Sequence, residues 1–200
     1  MKSSEKTLRE HSKFLSLVLR HQPETIAIQL DSEGWTDVHI LLQQMIKHRR
    51  PLKLVELIEV VESSDKKRFQ LSPDQNKIRA VQGHSSAQVQ REYVAITPPD
   101  TLFHGTATRF VDSILEKGLI SGERHHVHLS ADLVTAQKVG QRHGKVIIFI
   151  LDTKQMHQDG FQFYCAENGV WLTEQVPIKY LKLFESESKK TNPAVRLWSV

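Results

Sequence analysis

The sequence predicts an α+β chain in two lobes: an N-terminal winged-helix arrangement followed by a C-terminal lobe of mixed strands and helices. Three observations lead there. Residues 6–61 hold three stretches with apolar residues at helical spacing. Residues 68–81 then read as two short strands joined by Ser72-Pro73-Asp74-Gln75-Asn76, a run of turn-forming residues. Beyond Thr97-Pro98-Pro99-Asp100 strands and helices alternate around Val146 to Leu151, six consecutive apolar residues that suit a buried strand. The expected boundaries are 1–92 for the first lobe, 93–100 for a connector, 101–185 for the second lobe and 186–200 for a polar tail.

The elements follow in order. Leu8, Phe14, Leu15, Val18 and Leu19 mark a helix over 6–20, and Pro23 stops it. Asp31 to Gly34 is a turn, and Trp35 reads as a core anchor. Asp37 caps a second helix running through Lys47, with Val38, Leu41, Leu42 and Met45 on one face. Pro51 sits near the start of a third helix, striped by Leu52, Val55, Leu57, Ile58 and Val61. Arg68 to Leu71 and Lys77 to Val81 form the hairpin. Such an arrangement often binds nucleic acid, which is an analogy of fold alone. In the second lobe, Leu102-Phe103 is a strand ending at His104. Arg109 to Lys117 is a helix capped by Gly118. His126 to Leu129 is a strand, and Leu133 to His143 a helix stopped by Gly144. Val170 to Thr173 and Tyr180 to Phe184 complete the strands.

Composition narrows the function classes. The chain has 200 residues, 39% of them hydrophobic, enough for a core without covalent staples. Its one cysteine, Cys165, excludes an internal disulfide and reads as a small core residue. The polar N-terminus lacks a signal-peptide pattern and no stretch is long enough to span a bilayer. A monomeric cytoplasmic protein is expected. The formal net charge of +4 tilts toward a polyanionic partner. The excess is spread thinly, +3 over residues 1–95 and +1 over 96–200, so the placement of arginines matters more.

Six segments carry possible chemistry, each with a plainer reading. Leu19-Arg20-His21-Gln22-Pro23 is either an anion site or a helix end that favours cations. Asp65-Lys66-Lys67-Arg68-Phe69 sets three cations before a strand and could be a solvated loop. Gln82-Gly83-His84-Ser85 suits a backbone approached by a ligand. Phe103-His104-Gly105-Thr106 reads as a strand delivering a histidine to a glycine turn, whose amides could hold an anion. His125-His126-Val127-His128-Leu129-Ser130 places His126 and His128 on one strand face. Zinc is the obvious rival there, but no third ligand follows at a recognisable spacing and HExxH is absent. Gly140-Gln141-Arg142-His143-Gly144 is an arginine-bearing helix end. Neither a P-loop, a GxGxxG after a strand, nor a GxSxG elbow occurs.

Together the segments resemble the tRNA 2′-phosphotransferase family of the KptA type. The resemblance runs from about Lys13 to about Leu183, and the matching text is SKFLSLVLRHQP, LDSEGW, KKRF, IRAVQGHS, LFHGT, ILEKGL, HVHLS, VGQRHG and ENGVWLT. The resemblance implies a winged-helix lobe that contacts RNA and an ADP-ribosyltransferase-like lobe that holds NAD as co-substrate, with no metal. It implies an RNA substrate bearing an internal 2′-phosphate, of the kind met in tRNA splicing. In the family reaction the 2′-phosphate attacks the anomeric carbon of the nicotinamide ribose and nicotinamide leaves. The 2″-hydroxyl of the resulting phospho-ADP-ribosylated RNA then attacks phosphorus. RNA with a free 2′-hydroxyl departs, and ADP-ribose 1″,2″-cyclic phosphate forms.

By motif, the family's catalytic set falls on Arg20, His21, Arg68 and Arg142. Arginine forks bind phosphate bidentately and stay charged, so they position a dianionic nucleophile that needs no base. His21 could bind phosphate or move a proton. NAD is expected on His104, Gly105 and Thr106, with His128, Leu129 and Ser130 opposite. Ile114, Leu115 and Leu119 could wall the adenine or be helix core. Lys13, Lys67, Gln82 and His84 are the RNA-side candidates. Phe163 and Trp171 read as core. Glu167 lies where many ADP-ribosyltransferases keep a catalytic glutamate, a role this nucleophile does not require. Two rival functions remain: ADP-ribosylation of a nucleic-acid terminal phosphate or of a protein, and RNA binding without catalysis.

Overall fold

Each N-terminal helix turns one apolar side inward, and those sides meet in one core. The computed structural model describes residues 5–63 and 67–184. Helix α1 (Glu5–Val18) buries Leu15 and Val18, and α2 (Val38–Lys47) buries Val38, Leu41 and Met45. Helix α3 (Leu54–Glu62) adds Leu57 and Val60. Asp37 caps α2 as expected, its Oδ1 accepting from Ile40 N at 2.9 Å. The third helix begins three residues after Pro51, where Glu56 Oε2 accepts from Lys53 N at 2.8 Å and closes its first turn.

Strands β1 (Thr36–Asp37), β2 (Phe69–Leu71) and β3 (Lys77–Ala80) form an antiparallel sheet in the order β1-β3-β2. Phe69 pairs with Ala80 and Leu71 with Ile78, and Phe69, Ile78 and Ala80 all point into the helical core. Trp35 is half-buried, with the Arg79 guanidinium 4.4 Å above its ring, because it lies at the edge of that core.

Past residue 100 a second core forms. Strand β4 (Thr101–Ala107) leads through a 3-10 turn (Thr108–Phe110) into α4 (Val111–Lys117) and β5 (Leu119–Ile120). Next come β6 (Val127–Leu129), α5 (Leu133–Gly140) and a 3-10 turn (Gln141–His143). Then follow β7 (Val146–Asp152), α6 (Thr153–Gln158), β8 (Tyr164–Cys165), β9 (Trp171–Thr173), β10 (Gln175–Val176) and β11 (Leu181–Leu183). The apolar run becomes the middle strand of an antiparallel sheet, β11-β7-β4. A second sheet, β6-β9-β8, joins it where Phe103 and Ser130 exchange both backbone hydrogen bonds. Phe149, Leu151, Leu102, Met156 and Phe163 fill the space between them. Cys165 is half-buried at the sheet edge rather than in that core.

One expectation is overturned here. The strand carrying His104 does not end there in a glycine turn. It runs on to Ala107, with His104, Gly105 and Thr106 paired to Phe149, Ile148 and Ile147. Beta pairing takes up the backbone groups of alternate residues only, and β4 is the edge strand of its sheet, so Gly105, like Phe103, turns its backbone away from β7. Gly105 is glycine because α5 lies directly on it: a Cβ there would stand 1.7 Å from Ala136 O. The helix expected over 133–143 likewise tightens into a 3-10 turn for its last three residues. Asp65, Lys66 and the tail from Glu185 lie outside the described residues.

Candidate active site

The C-terminal end of α1 delivers the first pair of functional side chains. Its last turn closes through Leu19 N to Leu15 O and His21 N to Leu17 O, and Pro23 then starts a 3-10 turn. Arg20 and His21 are therefore held where the helix stops. The Arg20 carbonyl accepts from Ser85 N (2.9 Å) and Ser86 N (3.3 Å), fastening the helix end to the segment after β3. His21 Nδ1 and Ser85 Oγ hydrogen-bond at 2.9 Å, which fixes the ring. Arg20 Nη2 donates to the Arg68 carbonyl at 3.5 Å, while Arg20 Nε is buried without a partner.

Gly83 (φ 87°) lies between this pair and the second sheet. A Cβ there would stand 3.9 Å from both Arg20 Nη1 and His128 Nε2. Strand β6 thus brings His128 opposite Arg20, although 108 residues of sequence separate them. His128 Nε2 is also buried and unpartnered. Behind it, His104 Nδ1 hydrogen-bonds the His128 carbonyl at 3.1 Å. The turn before β6 supplies Arg124, whose charge bears on Arg20, His21, His128 and His104.

The electrostatics are one-sided. Burial, then the charges of Arg124 and Arg68, pull Arg20 down to about 10. Burial lowers the pKa of His21, with Arg20 and Arg124 adding to it and Glu123 opposing. His128 is pushed to about 3 by burial, then by Arg124 and Arg20. His84 reaches about 3 through burial, then Arg91, Arg20, His125 and His21. Burial lowers His104 too, against the hydrogen bond to the His128 carbonyl. Arg124 is solvent-exposed overall, yet desolvation still lowers its pKa. Arginines crowd together with neutral imidazoles and unpartnered N–H groups. Such a place gains most from a bound anion, which relieves the mutual repulsion and fills the empty hydrogen bonds.

The expected residues divide accordingly. Arg20, His21, His128 and His104 come together, with half-buried Arg68 beside Arg20. His84 is buried against the same seam, its Nε2 without a partner, beside half-buried Gln82. Arg142 is exposed in the turn after α5 and, among the described residues, makes no side-chain hydrogen bond or ion pair, whereas the charge of Arg124 bears on Arg20 and His21. Arg124 was missed by sequence reasoning, although an arginine directly before a histidine-rich strand repeats the Arg20-His21 pairing. Ile114, Leu119 and Leu129 are buried in the core of the second lobe, whereas Leu115 is exposed. Thr106 is buried beneath α5, and Ser130 is half-buried. Lys13 and Lys67 are exposed on the N-terminal part. Among the described residues no three His, Cys, Asp or Glu side chains converge as a metal site. No helix among them is long and apolar enough to cross a membrane.

The chain is similar to known proteins of one family. Residues 6–175 match the family described as RNA 2′-phosphotransferase, Tpt1 / KptA family. A protein of Pseudomonas fluorescens named "Probable RNA 2′-phosphotransferase" is 58% identical over 180 residues, covering 90% of this chain and 98% of the relative. Proteins of the same name from Hahella chejuensis and Escherichia coli are 50% and 52% identical, covering 91% and 90% of this chain and 97% and 98% of the relatives.

Proposed function

The chain belongs to the RNA 2′-phosphotransferase, Tpt1 / KptA family, and we propose that it transfers an internal RNA 2′-phosphate to NAD, yielding 2′-hydroxyl RNA, nicotinamide and ADP-ribose 1″,2″-cyclic phosphate. One observation carries the reading: Arg68 and Arg124 crowd Arg20, which adjoins His21, and Arg20 Nε and His128 Nε2 are buried there without partners. A 2′-phosphate is close to a dianion at neutral pH, since its second pKa is about 6. It needs positioning rather than deprotonation. A guanidinium with a pKa near 10 is still fully charged at pH 7 and can hold two phosphate oxygens at once.

NAD would supply the ribose carbon that accepts the phosphate, and nicotinamide as leaving group. The residues fit such a partner in one respect: the orphaned His128 Nε2 and the His104–His128 pair lie across Gly83 from Arg20. Burial and the neighbouring Arg20 and Arg124 disfavour the protonated form of His21 before substrate arrives. A phosphate dianion beside it raises its pKa, so Nε2 can then hold a proton and return it to the departing RNA 2′-oxygen. Lys13, Lys67 and Gln82 would meet the RNA backbone, a role supported by the exposure of the two lysines. Three helices packed with the β1-β3-β2 sheet support the winged-helix reading of the first lobe. The two three-stranded antiparallel sheets of the second support the ADP-ribosyltransferase-like one.

The test is a short RNA bearing one internal 2′-phosphate, incubated with and without NAD, with products resolved by mass spectrometry. NAD-dependent loss of the phosphate with appearance of the cyclic phosphate establishes the reaction. If NAD is consumed while the RNA keeps its phosphate, the reading is wrong.

A further inference from the structure

Glu33, Arg79, Arg91 and Glu167 form one ionic group across the seam between the two cores. Glu167 Oε1 meets Arg79 Nη2 at 2.9 Å and Arg91 Nη2 at 2.6 Å, and Glu33 Oε2 meets Arg79 Nη1 at 3.3 Å and Arg91 Nε at 3.8 Å. Glu167 is the only member from the C-terminal part. The arginine side chains are 12% and 6% exposed, whereas both carboxylates are 40% exposed. The cations are thus the buried partners, and an unpaired buried cation is strongly unfavourable.

Arg91 also donates to the Val81 carbonyl, and Val81 packs with Ala166 and Leu172 of the second lobe. Tyr93 lies beneath the Arg91 guanidinium and stacks edge-on to His126 at 5.8 Å. Val81 follows directly on β3, and the next four residues are Gln82, Gly83, His84 and Ser85. Those residues separate Arg20 from His128 and hold the Arg20 carbonyl and the His21 ring. A shift at Val81 therefore moves the wall between the two halves of the site.

We propose that Glu167 is a positioning residue for phosphate transfer: by holding Arg79 and Arg91 it seats the 81–93 segment against β8 and β9 and sets the spacing between Arg20-His21 and Arg124-His128. The inference rests on the reaction proposed above. Both Glu167 oxygens are engaged by guanidinium groups, Oε2 by Arg91 Nη1 at 3.4 Å, so this carboxylate is an anchor and not a base.

The experiment compares the full-length parent with Glu167→Gln, Glu167→Asp, Arg91→Met and the Glu167→Gln/Arg91→Met double variant. It measures turnover of NAD and 2′-phosphorylated RNA together with hydrogen exchange. Displacing reacting groups by about 1 Å can cost roughly 100-fold, so Glu167→Gln should lower kcat at least tenfold while each KM stays within about threefold. Glu167→Asp, which keeps the charge, should recover part of the rate. The double variant should be no slower than the slower single, because both act through one contact. Exchange should rise over 81–93 and stay unchanged over 5–18 and 146–152. A kcat within about threefold of the parent, a rate loss without faster exchange at 81–93, or faster exchange throughout the chain each overturns the proposal. If the parent itself turns over no RNA, the reaction assignment falls instead, and the exchange pattern alone then decides whether Glu167 seats the segment.

Discussion

Replacing Gly105 by alanine would drive a methyl group into the backbone of α5. A Cβ there stands 1.7 Å from Ala136 O, 2.6 Å from Ala136 C and 3.1 Å from Gly140 N. All three are main-chain atoms, so no side chain can swing aside. A carbon and an oxygen in contact stand roughly 3.3 Å apart, and α5 has to lift off β4 by about 1.6 Å. Overpacking on this scale belongs at the upper end of about 1–3 kcal/mol. In a chain of this size, about 3 kcal/mol lowers Tm by roughly 6–12 °C. A circular-dichroism melt of Gly105→Ala against the parent measures it. A Tm within about 2 °C of the parent would refute the packing argument and return Gly105 to the role of a ligand-binding turn, where alanine spares stability and weakens binding.

Three further outcomes are expected. Arg124→Ala should lower kcat/KM by about 100- to 1,000-fold, with Arg142→Ala losing at least tenfold less, and steady-state kinetics showing the reverse order would remove Arg124 from the cluster. His84 and His128 stay neutral in the folded chain down to about pH 3, whereas an unfolded histidine gains its proton near 6.5. The stability they permit is therefore complete above about pH 6.5 and falls on acidification, by up to about 1.4 kcal/mol per pH unit for each. Urea unfolding across that window should show the slope and His128→Asn should flatten it; equal slopes would contradict the burial of this ring. Asp37→Ala should cost about 1 kcal/mol in the same assay by removing the α2 cap, and no loss would mean that solvent satisfies Ile40 N equally well.

Local features were legible from the chain alone. Apolar spacing marked α1, α2 and β7, and Asp37 and the 72–76 turn marked where elements start and reverse. The Arg20-His21 pair ahead of Pro23 could be read as a helix end rich in cations. Short α6 was not legible, because only Thr153 and Met156 of its six residues are buried and six residues are too few to show a period. The strand through His104-Gly105-Thr106 was cut short, since a glycine in sequence signals a turn and a close helix alike.

Most of the longer elements, the family and the presence of arginine and histidine in separate short motifs can be read from the chain alone. Those depend on near neighbours, whose spacing along the chain is their spacing in space. The tertiary structure decided that Arg124 stands with Arg20 and His21. It turned Gly105 under α5 and joined Glu167 to Arg79 and Arg91. Each of these contacts spans tens of residues and depends on the register and packing of whole strands, where one residue of slippage would send the side chain to the other face.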